Sequence, residues 1–230
     1  MKIYVGTSGW LYGWNEGGNF EWFVKNSGLN SVELNASFYR FPFPNQIKSW
    51  VEKSGKIRFA VKVHRKITHI LKLSPSALTV WDEFKALFSP LKEKIDFYLF
   101  QLPPSFTPEY LDQTKEFFRS IRDRGNLAIE FRHFAWFDEK MVQEIEKLGM
   151  VFVSMDSPQI KSFLVKTNNV VYLRFHGRQA WYNYNYSPKE MKDISEKIYH
   201  LKPEYIYAYF NNNHAMLSNA RAFYHMLKNK

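Results

Sequence analysis

Eight short apolar runs, each ending in polar residues, constrain this chain more than any other feature. They are KIYVGTSGW from Lys2, SVELN from Ser31, FAVKVH from Phe59, FYLFQLPP from Phe97, LAIEFRH from Leu127, MVFVSMD from Met150, VVYLRFHG from Val170 and YIYAYFNNN from Tyr205. Their brevity and their β-branched and aromatic content predict strands rather than buried helices. Helical signals fall between several of them. Pro44 opens a segment in which Ile47, Trp50 and Val51 share a face, and Ser74-Pro75 precedes Trp81, Phe84, Leu87 and Phe88. Thr107-Pro108-Glu109 precedes Leu111, Phe117, Phe118 and Ile121, with Gly125 expected to stop that helix. Ser187-Pro188 repeats the pattern of a capping residue before proline at the first helical position, and a last helix is expected from about Ala215 to Lys228. The segment after Asp156 is poorer and predicts one short helix.

Eight β/α units in 230 residues is the arithmetic of a single-domain (β/α)₈ barrel of the TIM type, ordinarily about 250 residues long. An open doubly wound sheet would carry a GxGxxG turn after its first strand, and GTSGW lacks one. In a barrel the active site gathers at the carboxyl ends of the strands, where residues two apart share a face. The terminal polar residues obey that spacing: Glu33 with Asn35, Lys62 with His64, Glu130 with Arg132, Arg174 with His176. Gln101, Asp156 and Asn211 close three further strands. The expectation is one polar crater containing all of them, because so much polarity is costly to bury for packing alone.

Composition narrows the chemistry. The chain has no cysteine, which excludes thiolate metal sites, disulfides and cysteine nucleophiles and fits a cytoplasmic location. No apolar run approaches the length of a membrane span. The net charge of +10 favours an anionic partner, either a small molecule or nucleic acid.

The blocks GTSGW, VELNASFYR, FAVKVHRKITH, FQLPPSF, EFRH, RFHGR and YFNNNHAMLSNA occur in that order. Together they resemble the signature blocks of the YecE-like family, a family catalogued as a domain of unknown function, from Val5 to about Phe223. The resemblance implies a TIM-type barrel and carries no activity with it.

From the residues themselves, Glu33, Glu130, His176 and Asp156 are the expected acid–base or catalytic groups. Asn35, Tyr39, Lys62, His64, Gln101, Arg132, Arg174, Tyr186 and Asn211 are the expected substrate contacts. A divalent metal could be held by the carboxylates with His64, His69 or His176, although HxH, HExxH and DxD spacings are missing. The competing structural reading is a buried ion-pair ring in which each carboxylate neutralises Lys62, Arg132 or Arg174. The leading functional expectation is an enzyme acting on a phosphorylated sugar, nucleotide or nucleic acid. One rival is a non-catalytic nucleic-acid binder using the aromatic rim that includes Trp181, Tyr182 and Tyr184. Another is a glycosidase-like enzyme. The sequence leaves the oligomeric state open.

Overall fold

The computed structural model describes residues 1–121, 126–160 and 162–229. Its centre is one all-parallel sheet of β1 (Lys2–Ser8), β2 (Ser31–Leu34), β3 (Arg58–Lys62), β4 (Ile95–Gln101), β5 (Leu127–Glu130), β6 (Val151–Phe152), β7 (Ser154–Asp156), β8 (Val170–Phe175) and β9 (Tyr205–Phe210). The strand order is β6-β5-β4-β3-β2-β1-β9-β8-β7. β6 and β7 are the two halves of the expected sixth run, broken at Val153. The first half pairs with β5 and the second with β8, so the sheet closes on itself as a TIM-type barrel.

Helices wrap the outside: α1 (Phe20–Asn26), α2 (Ala36–Tyr39), α3 (Pro44–Lys53), α4 (Ala77–Leu87), α5 (Leu111–Ser120), α6 (Glu139–Lys147), α7 (Pro188–His200) and α8 (Met216–Lys228). Proline at the first position opens α3 and α7 as expected, and Ser187 with Glu190 forms a reciprocal capping box on α7. Gly125, expected to end α5, lies outside the described residues. The short helix expected after Asp156 is not formed among the described residues. That segment instead folds back in isolated antiparallel bridges, Met155 with Phe163 and Thr167 with Val170.

Alternation along the strands separates two cores. One set of faces packs against the helices, through residues such as Val32, Phe59, Phe100, Ile129 and Phe210. The other fills the barrel with Ala60, Phe97, Leu99, Ala128, Val151, Val153, Tyr172, Tyr207 and Tyr209. Strand parity therefore fixes what stands above this apolar plug: Glu33, Lys62, Gln101, Glu130, Met155 and Arg174. β1 and β2 approach so closely that a Cβ at Gly6 would meet the Ser31 carbonyl oxygen at 2.3 Å.

Candidate functional site

Four of the expected residues form one fully buried network directly above the plug. Arg174 on β8 spans the barrel, with Nη2 donating to Glu33 Oε1 and Nη1 to Glu130 Oε2, each at 2.5 Å. Glu33 also accepts from Ser8 Oγ at 2.7 Å and from the Tyr172 hydroxyl at 3.0 Å. The second oxygen of Glu130 accepts from Arg132 Nε at 2.5 Å. Burial alone would raise the Glu130 pKa, but Arg132 and Arg174 hold it well below the usual carboxylate range. Breaking such a pair on one side strands a buried charge, at a cost of about 3–5 kcal/mol.

His176, just beyond β8, completes the network. Its Nε2 lies 3.4 Å from a guanidinium nitrogen of Arg174, 3.4 Å from one of Arg132, and 3.5 Å from Glu130 Oε2. Burial, followed by repulsion from Arg132, pushes its pKa down to about 3. The imidazole is therefore neutral near pH 7, and facing two cationic donors Nε2 is its acceptor. Among the described residues its buried Nδ1 has no hydrogen-bond partner. Gly177 follows with φ +99°, and a Cβ there would lie 2.4 Å from the Ala180 carbonyl oxygen. Only glycine turns the chain so sharply back over the site.

Above the network the crater opens in two lobes. The narrower, about 280 Å³, is lined by Tyr12, Asn35, Tyr39, Lys62, Asn211 and Tyr182, among others. The wider, about 500 Å³, shares Tyr39, Lys62 and Tyr182 and adds Arg65, His69, Gln101, Arg132 and Trp181. Arg132 lies against the Trp181 ring at 4.6 Å. Lys62 stands where the lobes meet, 8% exposed, with its ammonium 4.1 Å from the centre of the Phe38 ring. Burial, then repulsion from Arg174, lowers its pKa to about 7. Among the described residues no carboxylate lies within ion-pair distance of it.

Asn35, Tyr39, Lys62, Gln101, Arg132 and Asn211 thus line the crater, while Glu33, Glu130, Arg174 and His176 lie beneath its floor. Three expected residues lie elsewhere. Asp156 does not point into the barrel: Val151 and Val153 are the inward residues of that run, so Met155 carries the inward parity. Asp156 Oδ1 accepts from Ser162 N and Oγ, at 2.9 and 3.0 Å, and Oδ2 accepts from Arg178 Nε at 2.8 Å. His64 leaves the strand period because β3 ends at Lys62, and its ring packs edge-on to Phe41 at 4.8 Å. Tyr186 is buried between Phe175 and Tyr184, its hydroxyl accepting from Gly177 N at 2.9 Å. Sequence reasoning did not anticipate that Ser8 and Tyr172 hold Glu33. Their parity with Gly6 and Arg174 was the available signal.

The expected metal donors do not converge among the described residues: no three of His, Asp and Glu come together. Glu33 and Glu130 are instead taken up by arginine. Their geometry is that of the ion-pair ring, with Lys62 outside it.

The family model described as "Protein of unknown function DUF72" matches residues 4–230. The UPF0759 protein YecE of Escherichia coli K12 is 29% identical over 164 residues, taking in 67% of this chain and 59% of the relative's length. A DUF72 family protein of Thermotoga maritima has a crystal structure that superposes with TM-score 0.79 at 27% identity, covering 99% of this chain and all of that one. One from Enterococcus faecalis superposes with TM-score 0.80 at 22% identity, covering 98% and 95%.

Proposed function

This chain belongs to the DUF72 family, and from that premise we propose that it is an enzyme whose crater binds a small anionic substrate and acts on it by acid–base chemistry at Lys62. The observation that carries this reading is the placement of Lys62. A buried ammonium with no carboxylate partner, standing beside a second cation, costs stability, and proteins retain such groups at functional sites. Arg132 lines the same lobe with its Nε anchored on Glu130, so its guanidinium has a fixed direction. An anionic group in the wider lobe would be drawn to Arg132 and to the protonated fraction of Lys62.

Glu33, Glu130 and Arg174 serve here as the fixed foundation that orients Arg132. His176, neutral and under the floor, is a positioning group. Asn35 and Asn211 supply amides in the narrower lobe, and Tyr39 stands at its mouth. Calorimetry with inorganic phosphate, a sugar phosphate and a nucleotide tests the reading. At least one should bind, and Arg132→Gln and Lys62→Met should each weaken it about tenfold or more, the worth of one charge-assisted contact. Negligible heats from all three ligands on the unaltered protein would overturn it.

A specific observation favours a second reading in which the substrate is part of a polyanion. Apart from Met1, the large apolar side chains most exposed among the described residues are Leu11, Tyr39, Phe43, Ile70, Phe134 and Tyr182. All six follow strand carboxyl ends, on the crater side of the barrel. Exposed rings beside cations suit stacking on unpaired bases.

A further inference from the structure

We propose that Lys62 is an imine-forming amine for small carbonyl compounds that carry an anionic group. The proposal rests on the reading of the crater as an anion site and names its chemistry. Lys62 makes no side-chain hydrogen bond among the described residues, and its head lies over the face of Phe38. A lysine that only shuttles protons benefits from a partner that fixes it. One held by a cation–π contact alone is released when it loses its proton, because the attraction depends on the charge.

The groups facing it set that proton's affinity. Burial acts first, and Arg174 from β8 and Arg132 beyond β5 repel the ammonium. Glu130 and Glu33 attract it, but both are engaged by arginine. His69, from the loop after β3, lines the wider lobe and is pushed down to about 4 by burial and then by Lys62 itself. A substantial fraction of the amine is thus unprotonated near pH 7, the condition under which desolvated lysines beside other cations become nucleophiles.

The steps balance without an oxidant or reductant. The unprotonated Nζ attacks the carbonyl carbon, the C–N bond forms, and the π pair moves to oxygen, which takes up a proton. The nitrogen gives its extra proton to solvent or to neutral His69. A second proton on the hydroxyl lets it leave as water, and the imine C=N forms. Asn35 lines the narrower lobe with Lys62 and would donate to the developing alkoxide, since among the described residues the one bond of its Nδ2, to the Ser8 carbonyl oxygen, is long at 3.5 Å. Arg132 would hold the anionic end.

Glyoxylate, a small aldehyde bearing a carboxylate, is the probe, with cyanoborohydride to reduce the imine to a stable carboxymethyl amine. The unaltered native protein at pH 7 is sampled over time and its lysines are mapped by peptide mass. Lys62 should gain the carboxymethyl group at least about tenfold faster than any other lysine, because a desolvated amine beside other cations is the more nucleophilic one. Phosphate should slow it, Arg132→Gln should slow it, and unfolding in urea should abolish the preference. Labelling spread evenly over the lysines, with phosphate still binding by calorimetry, would overturn the imine and leave the anion site standing. Selective labelling indifferent to both phosphate and Arg132→Gln would overturn the anionic half of the proposal.

Discussion

Bringing Lys62 into the barrel strips water from an ammonium, and that cost can be measured as a dependence of stability on pH. Its pKa falls from 10.5 to about 7 on folding, so between those values the unfolded chain binds the additional proton. The unfolding free energy therefore rises with pH across this window, and below about 7 the penalty stands in full. Lys62→Met should flatten the rise and stabilise the protein at pH 7, by a few kcal/mol at most. Urea unfolding of both proteins at pH 7 and pH 10 checks this, and equal pH dependence would mean that the ammonium is hydrated in the folded state. At this scale the sequence was legible wherever the backbone stays extended. Glu33, Glu130 and Arg174 follow strand parity into the barrel, and Arg132 keeps it two residues on. His64 does not, because the chain turns after Lys62 into the π-helical segment Lys66–Ile70. For Asp156 the parity with Ser154 held, but which face they shared was decided by Val151 and Val153.

Strands were readable as elements because burial on both faces leaves continuous apolar runs. Helices were readable where a capping residue and proline announced them, as at Ser187-Pro188. α6 was overlooked, although Asp138 caps it by accepting from Met141 N at 2.9 Å and Met141, Val142 and Ile145 form its buried face. α1 and α2 are a few residues long, too short for a period to show. The loop after β8 depends on one backbone position more than on any helix. At Gly177, alanine would meet both the positive φ and the Ala180 carbonyl oxygen. Gly177→Ala should destabilise by more than about 1 kcal/mol, the ordinary excess where φ is positive. It should also displace Trp181 and Tyr182 from the crater. Chemical denaturation reads the first effect and tryptophan fluorescence the second, and an unchanged spectrum would show that the loop absorbs the methyl group elsewhere.

Across the whole molecule, charge and exposed apolar surface point to the same end. A net charge of +10 with rings around the crater mouth predicts weak, sequence-tolerant association with single-stranded oligonucleotides. Its affinity should fall by about tenfold or more between roughly 50 and 200 mM salt, as released counterions are replaced. Titrations at several salt concentrations check it, and absence of binding at the lowest would assign the rim to another partner. The barrel also has an uneven wall. At Val153 the chain changes partners, donating to Ile129 on the β5 side, while β7 beyond it joins β8. In mechanical terms this is a lap joint, where neither ladder runs the full length of the strand. A lap joint yields in shear before a continuous wall does, and here, among the described residues, no helix of the following segment clamps it from outside. The load passes instead to the fold-back marked by the bridges of Met155 with Phe163 and Thr167 with Val170, fastened where Ser162 and Arg178 close on the two oxygens of Asp156. The carboxylate that looked like part of the chemistry is the rivet of the joint.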